Sequence, residues 1–243
     1  MSDTVRPEPE AQHDPAGEQP AGQSTAELYD ACMARTAALL RDADPSTPVD
    51  ACPGWTVEAL AAHLAGALAD FLARRFDVAD GDDFGERTVR ERQGQAVAES
   101  LAEWERHRAR AGDLLASPMG GVLVAEVVSH EQDLRCALGR PGARSDQSVR
   151  AGLDRPLDQI DQRLRQSGGP AFRLVIGDEE QRIIGEGEPV ATLRASAYDL
   201  LRTIGGRRTR DQVRAMDWDG DPEPVLDSLA LFGSYRDTPL RGE

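Results

Sequence analysis

The sequence predicts an α+β protein: a four-helix bundle followed by a smaller unit of helices and short strands. Four segments in the first 141 residues carry apolar side chains at helical spacing, and their short to moderate connections favour a bundle. Further along, Phe172, Leu174 and Ile176 alternate as in a half-buried strand. The chain has 243 residues, which is enough for two modest domains with apolar cores.

Composition divides the chain into three parts. Residues 1–23 are rich in Pro, Glu, Gln, Gly and Ala, so we expect a disordered tail in which His13 is solvated. Residues 24–141 form the predicted bundle. Residues 142–243 form the predicted small α+β domain.

Composition also excludes several functions. The net charge of −15 argues against nucleic acid and against an anionic membrane surface as partners. All 28 basic residues are arginine, which excludes lysine Schiff-base chemistry and a Walker-type phosphate loop. The three cysteines make no disulfide framework, and neither a signal peptide nor a membrane span is visible. We therefore expect a cytoplasmic protein.

The first two helices have recognisable starts. Residues 24–27 spell a capping box, S-x-x-E, and the helix that follows must stop before the Asp-Pro pair at residues 44–45. Pro53 and Gly54 predict a turn. Thr56 is then placed to cap a second helix, which carries its own apolar stripe.

The next stretch contains one loop and two predicted helices. Residues 77–86 form an acidic loop that lacks the full calcium-binding pattern. Residues 87–116 have a helical apolar period, with His107 on the surface among arginines. Ser117 and Pro118 suit the N-cap and first position of a fourth helix, which ends at Gly139.

This fourth helix carries an unusual polar face. Glu126, His130 and Asp133 are four and then three residues apart, and residues at those spacings share one face of a helix. A carboxylate and an imidazole are good ligands for a divalent cation such as Zn²⁺. Buried charge is costly unless it is paired or binds a metal.

His63 on the second helix is the candidate partner of that face. Taken alone, it would more often be a hydrogen-bonded core histidine than a ligand. In helix bundles, however, metal sites are built from side chains on facing helices. The sequence therefore favours His63, Glu126 and His130 as one metal-binding set.

The second half of the chain has a mixed pattern. An apolar stripe from Val149 to Leu164 predicts one helix, closed by Gly168 and Gly169. The remaining predicted elements are, in order, strands at residues 172–176, 181–185 and 190–194 with a turn at 177–179, a capped helix at 196–204, a helical piece at 211–216, a turn at 218–222 and a last helix at 225–232.

Three segments resemble one protein family. Residues 52–64 (CPGWTVEALAAHL), 125–141 (AEVVSHEQDLRCALGRP) and 199–224 (DLLRTIGGRRTRDQVRAMDWDGDPEP) are similar to the mycothiol-dependent maleylpyruvate isomerase family. The resemblance covers most of the chain and implies a DinB-like four-helix bundle followed by an α+β unit likened to sterol carrier proteins.

The resemblance also implies a site. It implies a divalent metal, usually zinc, held by His63, Glu126 and His130, and mycothiol as the thiol cosubstrate. We assign Asp133 the role of orienting a ligand; a salt bridge with Arg135 or Arg140 near the helix end is the alternative.

Arg207 is matched by the resemblance to a C-terminal-domain arginine implicated in substrate or thiol binding. There it could hold a carboxylate of either molecule in two parallel hydrogen bonds. The alternative is that Arg207, like the neighbouring Arg208 and Arg210, faces solvent.

Two functions remain open at this point. The first is a metal-dependent isomerase or thiol transferase that combines mycothiol with a small electrophile, one that can carry a carboxylate. It needs no protein cysteine, so we interpret Cys52 and Cys136 as structural. The second is a non-catalytic protein that binds a small ligand or a regulatory partner on the same scaffold. Oligomeric state is not predicted.

Overall fold

The computed structural model describes residues 23–76, 84–177 and 180–242. The predicted tail, apart from Gln23, lies outside the described residues, as do most of the acidic loop and residues 178–179 of the predicted turn. Helices dominate the first half and a small sheet follows in the second, which confirms the predicted fold class.

The first half contains six helices in its described part. They are α1 (Thr25–Asp42), α2 (Val57–Ala73), α3 (Phe84–Arg90), α4 (Val97–Arg108), α5 (Gly112–Ala116) and α6 (Met119–Ala137). The four longer ones form the bundle, in which α1 packs on α6 and α2 packs on α4.

Both predicted helix caps are present. The amide of Glu27 donates to Ser24 Oγ at 3.3 Å, and the amide of Ser24 donates to Glu27 Oε2 at 2.7 Å, which completes the capping box. At the start of α2, the amide of Ala59 donates to Thr56 Oγ1 at 3.3 Å. These two contacts fix where α1 and α2 begin, and so fix the position of His63 along the bundle.

The prediction of one helix over residues 87–116 was wrong. Three helices, α3, α4 and α5, occupy this segment. The first break contains Gly94 with φ 81°, a left-handed conformation that ends a helix and that glycine adopts freely. The start of α6 differs by one residue, since Pro118 takes the N-cap position while Ser117 Oγ accepts from the amide of Met119 at 3.2 Å.

The second half contains nine described elements. They are α7 (Gln147–Ala151), α8 (Asp154–Ser167), β1 (Phe172–Ile176), β2 (Glu180–Ile184), β3 (Ala191–Ala195), α9 (Ala197–Ile204), α10 (Arg210–Arg214), β4 (Asp217–Gly220) and α11 (Glu223–Leu229). The sheet order is β2-β1-β3-β4, with β1 and β3 parallel and the outer pairs antiparallel.

Two predictions in this half were wrong. The stripe from Val149 to Leu164 belongs to two helices, α7 and α8, which are separated at Gly152. A Cβ at Gly152 would lie 3.2 Å from Ala125 Cα, so the break lets the chain approach α6 closely. Residues 217–220 form the edge strand β4 rather than a turn. They include aspartates and a glycine, which are depleted in strands. Pairing with β3 therefore overrides their local preference.

The apolar core runs through both halves without interruption. Helix α6 contacts α1, α2 and α5 on one side and α7 and α8 on the other. Its polar face therefore lies where the bundle meets the α+β part. None of the described helices is long and apolar enough to cross a membrane.

Candidate functional site

Three polar side chains from α2 and α6 converge at this junction. His63 Nε2 lies 2.7 Å from Glu126 Oε1, and His130 Nε2 lies 3.6 Å from the same oxygen. One ligand atom from each residue lies within 4.8 Å of the other two. The structure thus brings together the three residues predicted as a metal-binding set, in a geometry that can hold one cation.

Helix α3 fixes the orientation of His63. The Thr88 hydroxyl donates its only proton to the carbonyl of Gly85 at 2.7 Å, so it must accept from His63 Nδ1, which lies 2.8 Å away. A proton on Nδ1 directs the Nε2 atom toward Glu126. Gly66 permits this approach, because a Cβ there would lie 2.7 Å from Thr88 Cβ. Sequence reasoning missed Thr88, whose segment carries no metal-ligand motif.

Asp133 orients the second histidine. Its Oδ2 lies 3.2 Å from His130 Nδ1, and its side chain is fully buried. It also accepts from Arg202 Nη1 at 2.5 Å and from Arg207 Nη2 at 2.6 Å. The alternative of a salt bridge with Arg135 or Arg140 is not what the structure has, since the two arginines that pair with Asp133 both come from the second half of the chain.

The charges of this cluster are strongly coupled. Burial alone would raise the pKa of Glu126, but hydrogen bonds from His130 and His63 hold it well below its usual range. Burial alone would likewise raise the pKa of Asp133, yet the guanidinium groups of Arg207 and Arg202 lower it strongly. Both carboxylates are therefore ionised near neutral pH.

The same coupling holds a positive charge on His130. Burial alone would lower its pKa, but hydrogen bonds with Asp133, Cys52 and Glu126 raise it well above the usual value. The Nε2 atoms of His63 and His130 both lie against the Glu126 carboxylate. These contacts require a positive charge between them, which is either a proton or a metal ion.

Arg207 faces the site, unlike its two neighbours in the sequence. Arg208 pairs with Asp199, and Arg210 pairs with two acidic side chains on the surface. Arg207 donates from Nε and Nη2 to the two oxygens of Asp133, at 3.1 and 2.6 Å, and from Nη1 to the carbonyl of Gly205. The Nε–Nη2 edge of its guanidinium is therefore already occupied by a carboxylate.

Cys52 lies beside the cluster, although the sequence led us to interpret it as purely structural. Its Sγ is 3.5 Å from Asp133 Oδ2 and 3.8 Å from His130 Nδ1. Cys52, His130 and Asp133 form a second set of clustered donors. Because both oxygens of Asp133 accept from arginines, this second set suits a metal less well than the first. Cys136 donates to a backbone carbonyl at Arg241 and lies outside the site.

Two cavities open onto the same cluster, and both are lined by Glu126, His130 and Arg207. The α8-side cavity, about 220 Å³, lies between α6, α8 and α9. The Trp55-side cavity, about 390 Å³, is lined by Trp55 and by the first residues of α3. Two different small molecules could thus reach the cluster from two sides.

The comparisons with known proteins agree with this architecture. Residues 25–135 match the model of the mycothiol maleylpyruvate isomerase N-terminal domain. No curated protein sequence matches the chain. A crystal structure of a histidine-to-alanine mutant of the mycothiol-dependent maleylpyruvate isomerase is similar with a TM-score of 0.51 and 16% identity, over 75% of this chain and 88% of that chain.

A second crystal structure of the mycothiol-dependent maleylpyruvate isomerase gives a TM-score of 0.46 at 13% identity, with the same two coverages. At 16% identity the mutant structure shows a shared fold alone. The sequence match to the family model spans α1 to α6 and includes the three converging residues. Residues 25–135, slightly under half of the chain, are therefore similar to the mycothiol maleylpyruvate isomerase N-terminal domain.

Proposed function

We propose that the chain is a metal-dependent enzyme that uses mycothiol, a low-molecular-weight thiol, as cosubstrate. It acts on a small electrophile as an isomerase or a thiol transferase. The observation that carries the proposal is the convergence of His63, Glu126 and His130 between two cavities, in a domain that matches this family model.

The donor set suits a divalent metal, with zinc as the first candidate. Two imidazole nitrogens and one carboxylate oxygen are common zinc ligands, and three protein ligands leave coordination positions open, as in catalytic sites. Both histidines have Nδ1 engaged by another side chain, so both Nε2 atoms are directed to one point. When bound, such a cation lowers the pKa of a nearby thiol and polarises a carbonyl group.

The surrounding residues hold this arrangement in place. Thr88 fixes the ring of His63 and Asp133 fixes the ring of His130, as outer hydrogen-bond partners of metal-binding histidines do. Arg207 is anchored by Asp133 and still has N–H groups beyond those contacts. We assign these remaining groups to an oxygen of the substrate or of the thiol.

Metal content tests the proposal directly. The full chain, purified without chelator, should hold about one divalent ion, and His63→Ala or His130→Ala should abolish binding. His107→Ala is the matched control, because His107 lies outside the cluster and contacts Glu103 at 3.3 Å. A chain that stays metal-free and cannot be loaded would refute the proposal.

Turnover tests the second part of the proposal. With mycothiol present, the metal-loaded chain should convert one or more members of a panel of unsaturated acids and ketones. Thiol transfer would consume mycothiol in a conjugate, whereas isomerisation would return it unchanged. Arg207→Ala should lower kcat/KM with little loss of metal. A loaded chain without turnover against the panel would instead favour the non-catalytic binding protein.

A further inference from the structure

We infer that the α8-side cavity is the subsite for the electrophile and that Arg155 binds the carboxylate of that substrate. The inference rests on the proposed function and names a substrate class for it: small acids with a largely apolar body. Arg155 lies in the first turn of α8 and lines this cavity together with Glu126 and His130.

Arg207, the other arginine of the cavity, is already engaged by a carboxylate of the protein. Arg207 is the residue matched to substrate binding by family resemblance, but the Nε–Nη2 edge of its guanidinium is occupied by Asp133. A substrate carboxylate therefore cannot form the parallel pair of hydrogen bonds with that edge unless Asp133 is displaced. Displacement would leave a fully buried carboxylate short of partners, which costs several kcal/mol.

Arg155 differs from most arginines of the chain in having no carboxylate partner among the described residues. Among the described residues, its guanidinium makes no hydrogen bond or ion pair, whereas most arginines of this acidic chain are paired with carboxylates. The ionisable residues of the cavity wall are two arginines, His130 and one glutamate, so the wall is net positive in a protein of net charge −15. An anion is the ligand that this wall favours.

The α8-side cavity is small and partly apolar. About 220 Å³ corresponds to roughly seven water molecules, which is below the range of sites for drug-sized ligands. Apolar side chains of α9 and Phe232, which is 53% exposed, also line the cavity. A small acid with an apolar body fits this cavity. The larger Trp55-side cavity is then left for the thiol cosubstrate.

The arrangement also places the reacting atoms. Because Arg155, His130 and Glu126 line one small cavity, a ligand whose carboxylate pairs with Arg155 can place its other end against His130 and Glu126. An activated double bond at that end would meet the thiol arriving from the second cavity. Arg155 is thus a specificity residue that binds and orients the substrate, without a part in the bond-making step.

Calorimetric titration of the full chain with two isosteric probes tests the inference without turnover. The probes are 3-phenylpropionate, which carries the charge, and 3-phenylpropionamide, which does not. Arg155→Ala should weaken the acid about tenfold and leave the amide within about twofold, since a charge-assisted pair is lost. Arg163→Ala is the matched control: it is exposed on the same helix, outside the α8-side cavity. It should change neither probe.

The titrations are run on zinc-loaded and on chelator-treated protein, which separates this inference from the proposed function. If the chain holds no metal, the proposed function fails. The effect of Arg155→Ala on binding of the acid still shows whether Arg155 binds a carboxylate. The inference is overturned if Arg155→Ala binds the acid like the wild type or weakens both probes equally. It is also overturned if the wild type does not bind the acid at millimolar concentration.

Discussion

Replacing Thr88 by valine isolates the hydrogen bond that orients His63. Valine keeps the shape of threonine but removes the hydroxyl, which lies 2.8 Å from His63 Nδ1 and fixes the proton on that nitrogen. Without this acceptor, the neutral ring can carry its proton on Nε2 and donate to Glu126 instead. The Nε2 atom would then be blocked as a metal ligand until the proton moves.

The size of the effect follows from burial. His63 and Thr88 are both buried, so the Nδ1–H loses an acceptor that water does not readily replace, at a cost of about 1–3 kcal/mol. The metal-free variant avoids this cost by carrying the His63 proton on Nε2. Metal binding requires the Nδ1–H tautomer, so the cost arises when the metal binds. Zinc affinity should therefore fall about 10- to 100-fold, the range found for partners of metal-binding histidines.

Competition against a chromophoric zinc chelator measures this change. Thr88→Ser keeps the hydroxyl and should bind zinc within about threefold of the wild type, which separates the hydrogen bond from packing. Thermal unfolding of both metal-free variants checks that the fold is retained. If Thr88→Val binds zinc as tightly as Thr88→Ser, the assignment of the His63 tautomer is wrong.

Three further predictions concern the scaffold of the site. Gly66→Ala places a Cβ 2.7 Å from Thr88 Cβ, so it should cost about 1–3 kcal/mol of unfolding free energy in denaturant titrations and also weaken zinc binding. Asp133→Asn leaves two arginines without their shared counter-charge and should cost about 3–5 kcal/mol by the same titration, whereas an unchanged midpoint would contradict the buried pairing. For Glu103, burial raises the pKa, but Arg92 and other partners lower it to about 2 from 4.5. A carboxyl with a depressed folded-state pKa stabilises the fold above its unfolded pKa and loses that contribution as pH falls through the folded value. Because solvent screens this partly exposed group, Glu103→Gln should cost about 1–2 kcal/mol at pH 7 and little near pH 2. A pH-independent difference would refute that coupling.

The sequence predicted the parts of the site that depend on local periodicity. Glu126 and His130 share a face because they are one helical turn apart, and His63 follows a capped start that fixes its register. It did not predict the role of Arg202. Nothing in the sequence around this helical arginine indicates that it pairs with the buried carboxylate of Asp133, 69 residues away. Contacts of that kind depend on how the two halves pack.

The same distinction accounts for the errors in the fold. Apolar residues recur at helical spacing through the whole of residues 87–116. This spacing gives no sign that a helix ends at the end of α3. That break matters for function, since it lets α3 lie against α2 with Thr88 next to His63. The strand β4 was missed for a related reason, because its residues pair with β3 against their own preference.

The pairing of Asp133 with two arginines determines the charge of the proposed metal site. A carboxylate that accepts from Arg202 and Arg207 has no free oxygen for a cation, so it acts on the site through His130. Glu126 is then the anionic member of the converging set. A divalent cation held by one carboxylate and two neutral imidazoles has a net charge of +1, which favours an anion at the open positions, as a thiolate or a substrate carboxylate would be. If Asp133 were a ligand as well, the site would be neutral and would lose that preference. The two arginines therefore serve the chemistry indirectly, by keeping a second carboxylate away from the metal while it orients His130.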